Sequence, residues 1–313
     1  GTQTQAMSRT RAARACGLPK HKVFIHTTFL GGGFGRRSET GFVDVAVRAA
    51  LELARPVKLI WTREATYARG AYRPAVKARI RAELGGGTIQ HLDVTMAGQN
   101  IMARFAPGVL ANSKPGSLAT HEGFSHSPYR FPGHAVRYAR VDFPITVGWW
   151  RSVHGSHNGF FRECFLDECA HALGRDPLDL RRELLRDSPR ELAVLELAAS
   201  EAGALPAGQH RGMAMFESCG SICAEVADVS VSDGALTVHR VVAAIDCGIV
   251  VHPDTVKAQL MGALTMGLSM TLFEGLTFKD GAAQELNFHQ QNLLRLRQAP
   301  VVEAHIVESD SPP

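Results

Sequence analysis

Phe29-Leu30-Gly31-Gly32-Gly33-Phe34-Gly35-Arg36-Arg37 is the stretch on which the reading of this chain turns. The β-branched run Val23 to Thr28 reads as a strand leading into it, and Glu39 to Ala54 reads as a helix leaving it. Four glycines within Gly31–Gly35 let bare backbone N–H groups approach a ligand, and a helix start behind them adds a positive dipole end. With two arginines alongside, the stretch is suited to cradle an anion, either a phosphate or an oxyanion-bearing cofactor. A plain strand-to-helix turn accounts for the glycines equally well, because glycine punctuates turns for conformational reasons alone. Two nucleotide motifs are excluded. The dinucleotide fingerprint G-x-G-x-x-G fails because Arg36 stands where its last glycine belongs, and a phosphate loop of the G-K-[ST] kind fails for want of a nearby lysine.

The rest of the composition sets bounds. The 313 residues are 45% hydrophobic and 20% charged, which gives a globular chain an ample core and suggests two domains. A net charge of +4, with Arg and Lys scattered, argues against nucleic acid as the main partner but suits an anionic cofactor. No apolar run approaches the roughly eighteen residues of a membrane span. Cys16, Cys164, Cys169, Cys219, Cys223 and Cys247 form no C-x-x-C pair and read as buried free thiols. His121, His126, His154 and His157 cluster in sequence, but without an i, i+4 pair and a carboxylate they do not read as a metal site. The chain opens at Gly1-Thr2-Gln3 and stops at Asp310-Ser311-Pro312-Pro313, which is expected of an internal piece of a longer protein.

Beyond the glycine stretch, residues 8–17 read as a helix stopped at Gly17-Leu18-Pro19, and Val57 to Trp61 as a buried strand after Pro56. Strand, loop, helix and strand would then form an α/β unit. Residues 76–84 and 88–96 alternate around Gly85-Gly86-Gly87 as a hairpin, and 105–134 reads as a long loop. A second half begins at Trp149-Trp150-Arg151-Ser152, with helices over 158–173, from Asp176-Pro177, and over 189–202. Strands follow at 212–215, 224–231 and 236–245, then Asp246-Cys247-Gly248. A small-residue helix capped by His252-Pro253-Asp254 runs to about Leu272, and a strand pair surrounds Asp280-Gly281. The fold class is mixed α/β (α+β), divided at 1–150 and 151–313.

Taken together, Thr2-Gln3, Gly31 to Gly35, Trp150-Arg151-Ser152-Val153 and Asp246-Cys247-Gly248 with Gln259 resemble the molybdenum hydroxylases, the xanthine dehydrogenase and aldehyde oxidase group. Arg36-Arg37, Trp61-Thr62-Arg63-Glu64 and Asn287-Phe288-His289 are most similar to the beta subunit of isoquinoline 1-oxidoreductase and related periplasmic aldehyde dehydrogenases. The resemblance runs over essentially the whole chain. It implies molybdopterin-binding domains, incomplete at both ends, and a molybdopterin cofactor in its cytosine dinucleotide form. It further implies hydroxylation of an aldehyde or N-heterocyclic carbon with oxygen from water.

By the same resemblance, Gln3 is the catalytic candidate, matching the glutamine that hydrogen-bonds a molybdenum oxo ligand. Gly32, Gly33, Phe34 and Gly35 match the loop at the metal end of the pterin. Arg151 matches an arginine beside the cofactor and Gln259 a glutamine bonded to the pterin, while Ser218, Cys219, Gly220 and Ser221 line its tail. No residue of this chain is expected to ligate the metal. The implied partners are a small 2Fe-2S subunit, a cytochrome c electron acceptor and an aldehyde or N-heteroaromatic substrate. The implied location is periplasmic, with a cytoplasmic one left open. Each residue also has a plain reading: Gln3 and Gln259 as solvated amides, Arg151 as a cation stacked on an aromatic ring.

Two departures from the family pattern stand out. His154-Gly155 reverses the usual order after Arg151, and the family's general base, a glutamate in Gly-x-Gly-Glu-Pro, would follow the segment matched by Ser309 to Pro313. The fragment is therefore expected to bind cofactor without turning over substrate. The alternatives are a non-catalytic truncated or scaffold homologue, and a binding module for another phosphate-bearing ligand.

Overall fold

The computed structural model describes residues 1–105 and 118–312. A first sheet forms where the pattern alternates most cleanly. Strands β1 (Val76–Gly85) and β2 (Thr88–Gly98) are an antiparallel hairpin whose turn, Gly86-Gly87, takes φ of 60° and 79°. Positive φ at both positions is what a type I′ hairpin turn demands. Strand β3 (Gly133–Arg140) adds in parallel to the free edge of β2.

The second sheet is a meander of β4 (His210–Ser218), β5 (Ser221–Ser232) and β6 (Ala235–Asp246), with β9 (Val301–Ile306) in parallel along β6. Its period-two pattern decides which side chain faces which helix. Ile222, Ala224 and Val226 of β5 join Val242 and Ala244 in a core with helices α5 (Gly155–Ala172), α6 (Pro177–Leu184) and α7 (Pro189–Ala202). Cys223 and Ala227, on the opposite parity, pack with Val241, Ala243, Leu260 and Leu264 beneath helix α8 (Pro253–Leu272). The result is helices, sheet and helix in three layers. Helix α5 also covers the first sheet, with Phe161 and Phe165 against Leu92, Val94, Met96 and Phe124. A small ribbon, β7 (Phe278–Lys279) and β8 (Ala282–Ala283), turns at Asp280-Gly281.

Caps explain the sharp helix starts. The Asp176 carboxylate accepts from the Leu178 and Asp179 N–H groups at 2.8 and 3.1 Å, with Pro177 at the first position of α6. His252 Nδ1 accepts from Thr255 N at 3.1 Å to start α8.

Several sequence expectations are corrected. Val23 to Thr28 and Val57 to Trp61 are extended coil with no ladder. The helix after the glycine stretch is α2 (Gly41–Leu53), and a 3-10 turn, Arg36–Ser38, intervenes. The strand–loop–helix–strand unit is therefore absent among the described residues. The long loop expected over 105–134 includes residues 106–117, which lie outside the described residues; its described part begins at the end of a short helix, Ile101–Phe105, contains a 3-10 turn, Leu118–His121, and ends in the start of β3. All six cysteines are free as expected, but only Cys169 is buried; Cys16, Cys223 and Cys247 are partly exposed, and Cys164 and Cys219 are exposed.

Candidate functional site

The glycine stretch is shaped from below by the start of the chain. Thr2 Oγ1 and Gln3 N both donate to the Arg37 carbonyl at 3.1 Å, and Thr4 Oγ1 donates to the Ser38 carbonyl at 3.2 Å, just ahead of helix α1 (Gln5–Cys16). Gln3 thereby lies across Gly33, where a Cβ would collide with its side chain. At Gly35, φ is +79° and a Cβ would stand 3.0 Å from the Trp149 backbone. Phe34 has φ of 51°, uncommon for a bulky residue, and its ring is half exposed. Arg37 N donates to the Gly33 carbonyl at 3.2 Å, but the N–H groups of Gly32, Gly33, Phe34 and Gly35 donate to no group among the described residues. The loop is an unclaimed row of donors. The helix expected directly behind the loop is displaced: the 3-10 turn Arg36–Ser38 follows it, and α2 begins only at Gly41.

Arg151 closes over this loop from the other half of the chain. Its guanidinium carbon sits 5.6 Å from the centre of the Phe34 ring, and Nη2 reaches the Gln259 carbonyl of α8 at 3.5 Å. Nη1 lies 3.7 Å from Met266 Sδ. Arg151 does stack on an aromatic, as one reading of the sequence allowed, but on Phe34 and not on its tryptophan neighbours. The turn that presents it carries φ of 63° at Ser152 and 43° at Val153. Left-handed backbone at a β-branched residue persists only where surrounding contacts over-determine it. Gln259 is exposed and its side-chain amide has no partner among the described residues.

The structure thus brings Gln3 to Gly33, and Phe34, Arg151 and Gln259 to one another. It does not bring Ser218, Cys219, Gly220 and Ser221 into that group. Cys219 and Gly220 form the two-residue turn between β4 and β5, with φ of 51° and 85°; with Ser218 they line a cavity of about 510 Å³ alongside Glu122, His126, Arg190 and Glu217, while Ser221 is not part of its lining. Ser218 Oγ donates to Glu122 Oε1 there at 3.1 Å. Behind the glycine loop lies a larger cavity of about 1030 Å³ lined by Arg11, Arg36, Arg37, Arg69 and Arg104, among others.

Other segments that carried the resemblance have structural jobs. Asp246 is buried, accepts two hydrogen bonds from Arg190 at 2.6 and 2.7 Å, and accepts a third from Gly248 N at 2.8 Å. The Arg190 bonds hold its carboxyl below the usual range. Arg63 stacks over Phe288 at 4.5 Å and Asn287 Nδ2 donates to Glu64, so two quoted segments meet in space. His154 and His157 pack edge to face at 5.4 Å beside Arg73. Burial first, then neighbouring positive groups, pushes them down to about 3 and about 4, so both are neutral near pH 7. Trp150 Nε1, His154 Nδ1 and His157 Nε2 are buried without hydrogen-bond partners among the described residues. Among the described residues no group of three or more His, Cys, Asp or Glu side chains converges to hold a metal.

Sequence reasoning missed Arg73, whose guanidinium binds the Arg151 turn from behind. A lone arginine before Pro74 carries no signal for that role.

Two family models, each describing a molybdopterin cofactor-binding domain, match residues 1–185 and 194–300. The beta subunit of isoquinoline 1-oxidoreductase from Brevundimonas diminuta is 30% identical over 326 residues, covering 99% of this chain and 41% of that protein. A membrane-bound aldehyde dehydrogenase (pyrroloquinoline-quinone) from Gluconacetobacter polyoxogenes is 29% identical, covering 100% and 44%. The chain therefore spans less than half the length of these curated relatives. Among solved structures, quinoline 2-oxidoreductase from Pseudomonas putida 86 superposes with a TM-score of 0.77 at 13% identity, covering 99% of this chain and 65% of that one. Aldehyde oxidoreductase from Desulfovibrio gigas gives 0.67 at 14%, covering 97% and 51%. Both likenesses bear on the fold alone.

Proposed function

We propose, from the premise that this chain belongs to the molybdenum hydroxylase family and carries its molybdopterin cofactor-binding domains, that the Gly31–Arg37 loop, Gln3, Arg151 and Gln259 hold that cofactor. The observation that carries the reading is the row of N–H groups from Gly32 to Gly35, unpaired among the described residues, with the Arg151 guanidinium over the Phe34 ring of the same loop. The donor set fits the group: fixed backbone donors and a forked cation suit phosphate and pterin oxygens, and two exposed amides can donate and accept without adding charge. When bound, the cofactor supplies the redox chemistry of hydroxylating an electron-poor carbon.

The chain's own residues then have separable tasks. The glycine loop gives donors already aimed, with no side chain between backbone and ligand. Gln3, steadied through its backbone on Arg37, presents an amide at the catalytic end. Arg151 offsets negative charge, and Gln259 bonds the pterin. Ser218, Cys219, Gly220 and Ser221 receive the cofactor's tail, in its cytosine dinucleotide form. The reading divides the chain at 1–150 and 151–313. It places the chain in the large subunit of an oxidoreductase for aldehydes or N-heteroaromatics, with a separate 2Fe-2S subunit, a cytochrome c acceptor and a periplasmic location. No helix among the described residues is long and apolar enough to cross a membrane.

The test is metal and pterin analysis of the purified protein after expression with ample molybdate. About one molybdenum per chain, lost in an Arg151→Gln variant that still folds, supports the reading. A well-folded protein without molybdenum or pterin overturns it.

A further inference from the structure

We infer that Arg73 is a positioning residue, which fixes the Arg151 turn against the glycine loop; the inference rests on the cofactor site proposed above. Tyr72 anchors it: Tyr72 N donates to the Thr146 carbonyl at 2.8 Å, and Gly148 N donates to the Tyr72 carbonyl at 2.9 Å. The backbone of Arg73 is thereby tied to the segment that becomes Trp149-Trp150-Arg151. Its side chain then reaches the same turn from behind. Nη2 donates to the Arg151 carbonyl at 3.0 Å, and Nη1 donates to the Val153 carbonyl and to Ser156 Oγ, each at 2.9 Å.

One planar fork thus holds three acceptors within six residues, across the two positions of positive φ, Ser152 and Val153. A guanidinium presents its donors in a rigid plane, so those acceptors are fixed relative to one another; a flexible ammonium cannot do this. Among the described residues its guanidinium hydrogen-bonds two carbonyls and a hydroxyl and no carboxylate, and burial lowers its pKa. A cation desolvated without a counter-charge is costly to keep. What it secures is a strained turn with the Arg151 side chain on the far side, pointing toward Phe34 and α8. Removing the fork frees Ser152 and Val153 to relax to ordinary backbone, and Arg151 swings from the loop.

The experiment compares Arg73→Gln, Arg73→Lys, Arg151→Gln and the Arg73→Gln/Arg151→Gln double variant in the purified protein, reading molybdenum and pterin retention during dialysis together with Tm. Removing a residue that orients a ligand-contacting group typically costs about 10-fold or more. Arg73→Lys keeps charge and bulk, so it guards against simple misfolding. The expected result is about tenfold faster cofactor loss in both Arg73 variants, Tm of Arg73→Lys within a few degrees of wild type, and a double variant no worse than Arg151→Gln alone. Wild-type retention in Arg73→Lys and Arg73→Gln, or losses that add in the double variant, overturns the positioning role. If Arg151→Gln itself retains cofactor as wild type does, the proposed site fails first, and that result is separate from any Arg73 outcome.

Discussion

At Gly33 and Gly35 the same missing methyl group has two different physical reasons. The atoms nearest a Cβ on Gly33 belong to the side chain of Gln3, which is exposed and can rotate away, whereas a Cβ on Gly35 meets the Trp149 backbone in a left-handed conformation. Gly35→Ala is therefore expected to cost about 1–2 kcal/mol, and Gly33→Ala less than about 0.5 kcal/mol, in urea denaturation; equal costs would refute the distinction. The histidines give a second test. His154 and His157 have folded pKa values of about 3 and about 4, below the ordinary value near 6.5, so between pH 4 and 6.5 the unfolded chain binds more protons. Their contribution is whole above about pH 6.5 and declines as pH falls, by up to about 1.4 kcal/mol per unit for each ring. Asp167, Glu217 and Glu225, whose carboxyls burial pushes up, act with the opposite sign. The difference between wild type and a His154→Phe/His157→Phe variant isolates the rings, and a pH-independent difference would contradict the assignment. At this scale the sequence was informative where a residue type is restrictive: glycines announced the loop. Arg73 was illegible because its three acceptors are 78 to 83 residues away.

Between elements, the joint of α5, α6 and β4 is made of buried charge. Arg162 and Arg181 both pair with Glu163, at 3.0 and 3.1 Å, all three being nearly inaccessible to solvent. Arg162 continues to Glu217 and to the Met215 carbonyl, while Arg181 reaches Asp167. Glu163 also accepts from Tyr129 at 3.1 Å and Met215 N at 3.2 Å, and burial beside this carboxylate raises the Tyr129 pKa. Glu163→Ala leaves two guanidinium groups buried and underpaired, so it is expected to destabilise the protein by about 3–5 kcal/mol. A loss below 1 kcal/mol by chemical denaturation would contradict that. Helices α5 to α8 and the meander were readable because each carries its own period, cap or turn residue. Strands β3 and β9 were missed, and both pair in parallel with residues distant in sequence. Val23 to Thr28 and Val57 to Trp61 err the other way. Both look like strands, yet Phe24 and Ile60 are about three-quarters exposed, at 76% and 75%, with no ladder to join. Strand propensity records fit to a half-buried pleated surface, and a segment without that surface stays coil.

Across the whole molecule, burial is uneven. Helix α7 buries Val194, Leu195, Ala198 and Ala202, while α2 has no buried residue and packs chiefly on α1. Amides of α2 are expected to exchange about 100-fold faster than those of α7, since segments with few buried contacts open locally. Equal protection by hydrogen-exchange mass spectrometry would count against this ranking. The mixed class of helices and sheets was legible from alternating patterns, whereas the layering was not, because it depends on which face of β5 meets which helix. One feature also bears on biogenesis. Phe34, Arg151 and Gln259 meet only when three remote portions of the chain have come together. A growing polypeptide on the ribosome cannot offer that constellation until Gln259 has emerged and α8 has docked. A ligand that needs all three therefore gains its full set of contacts only after this region has been synthesised and α8 has docked.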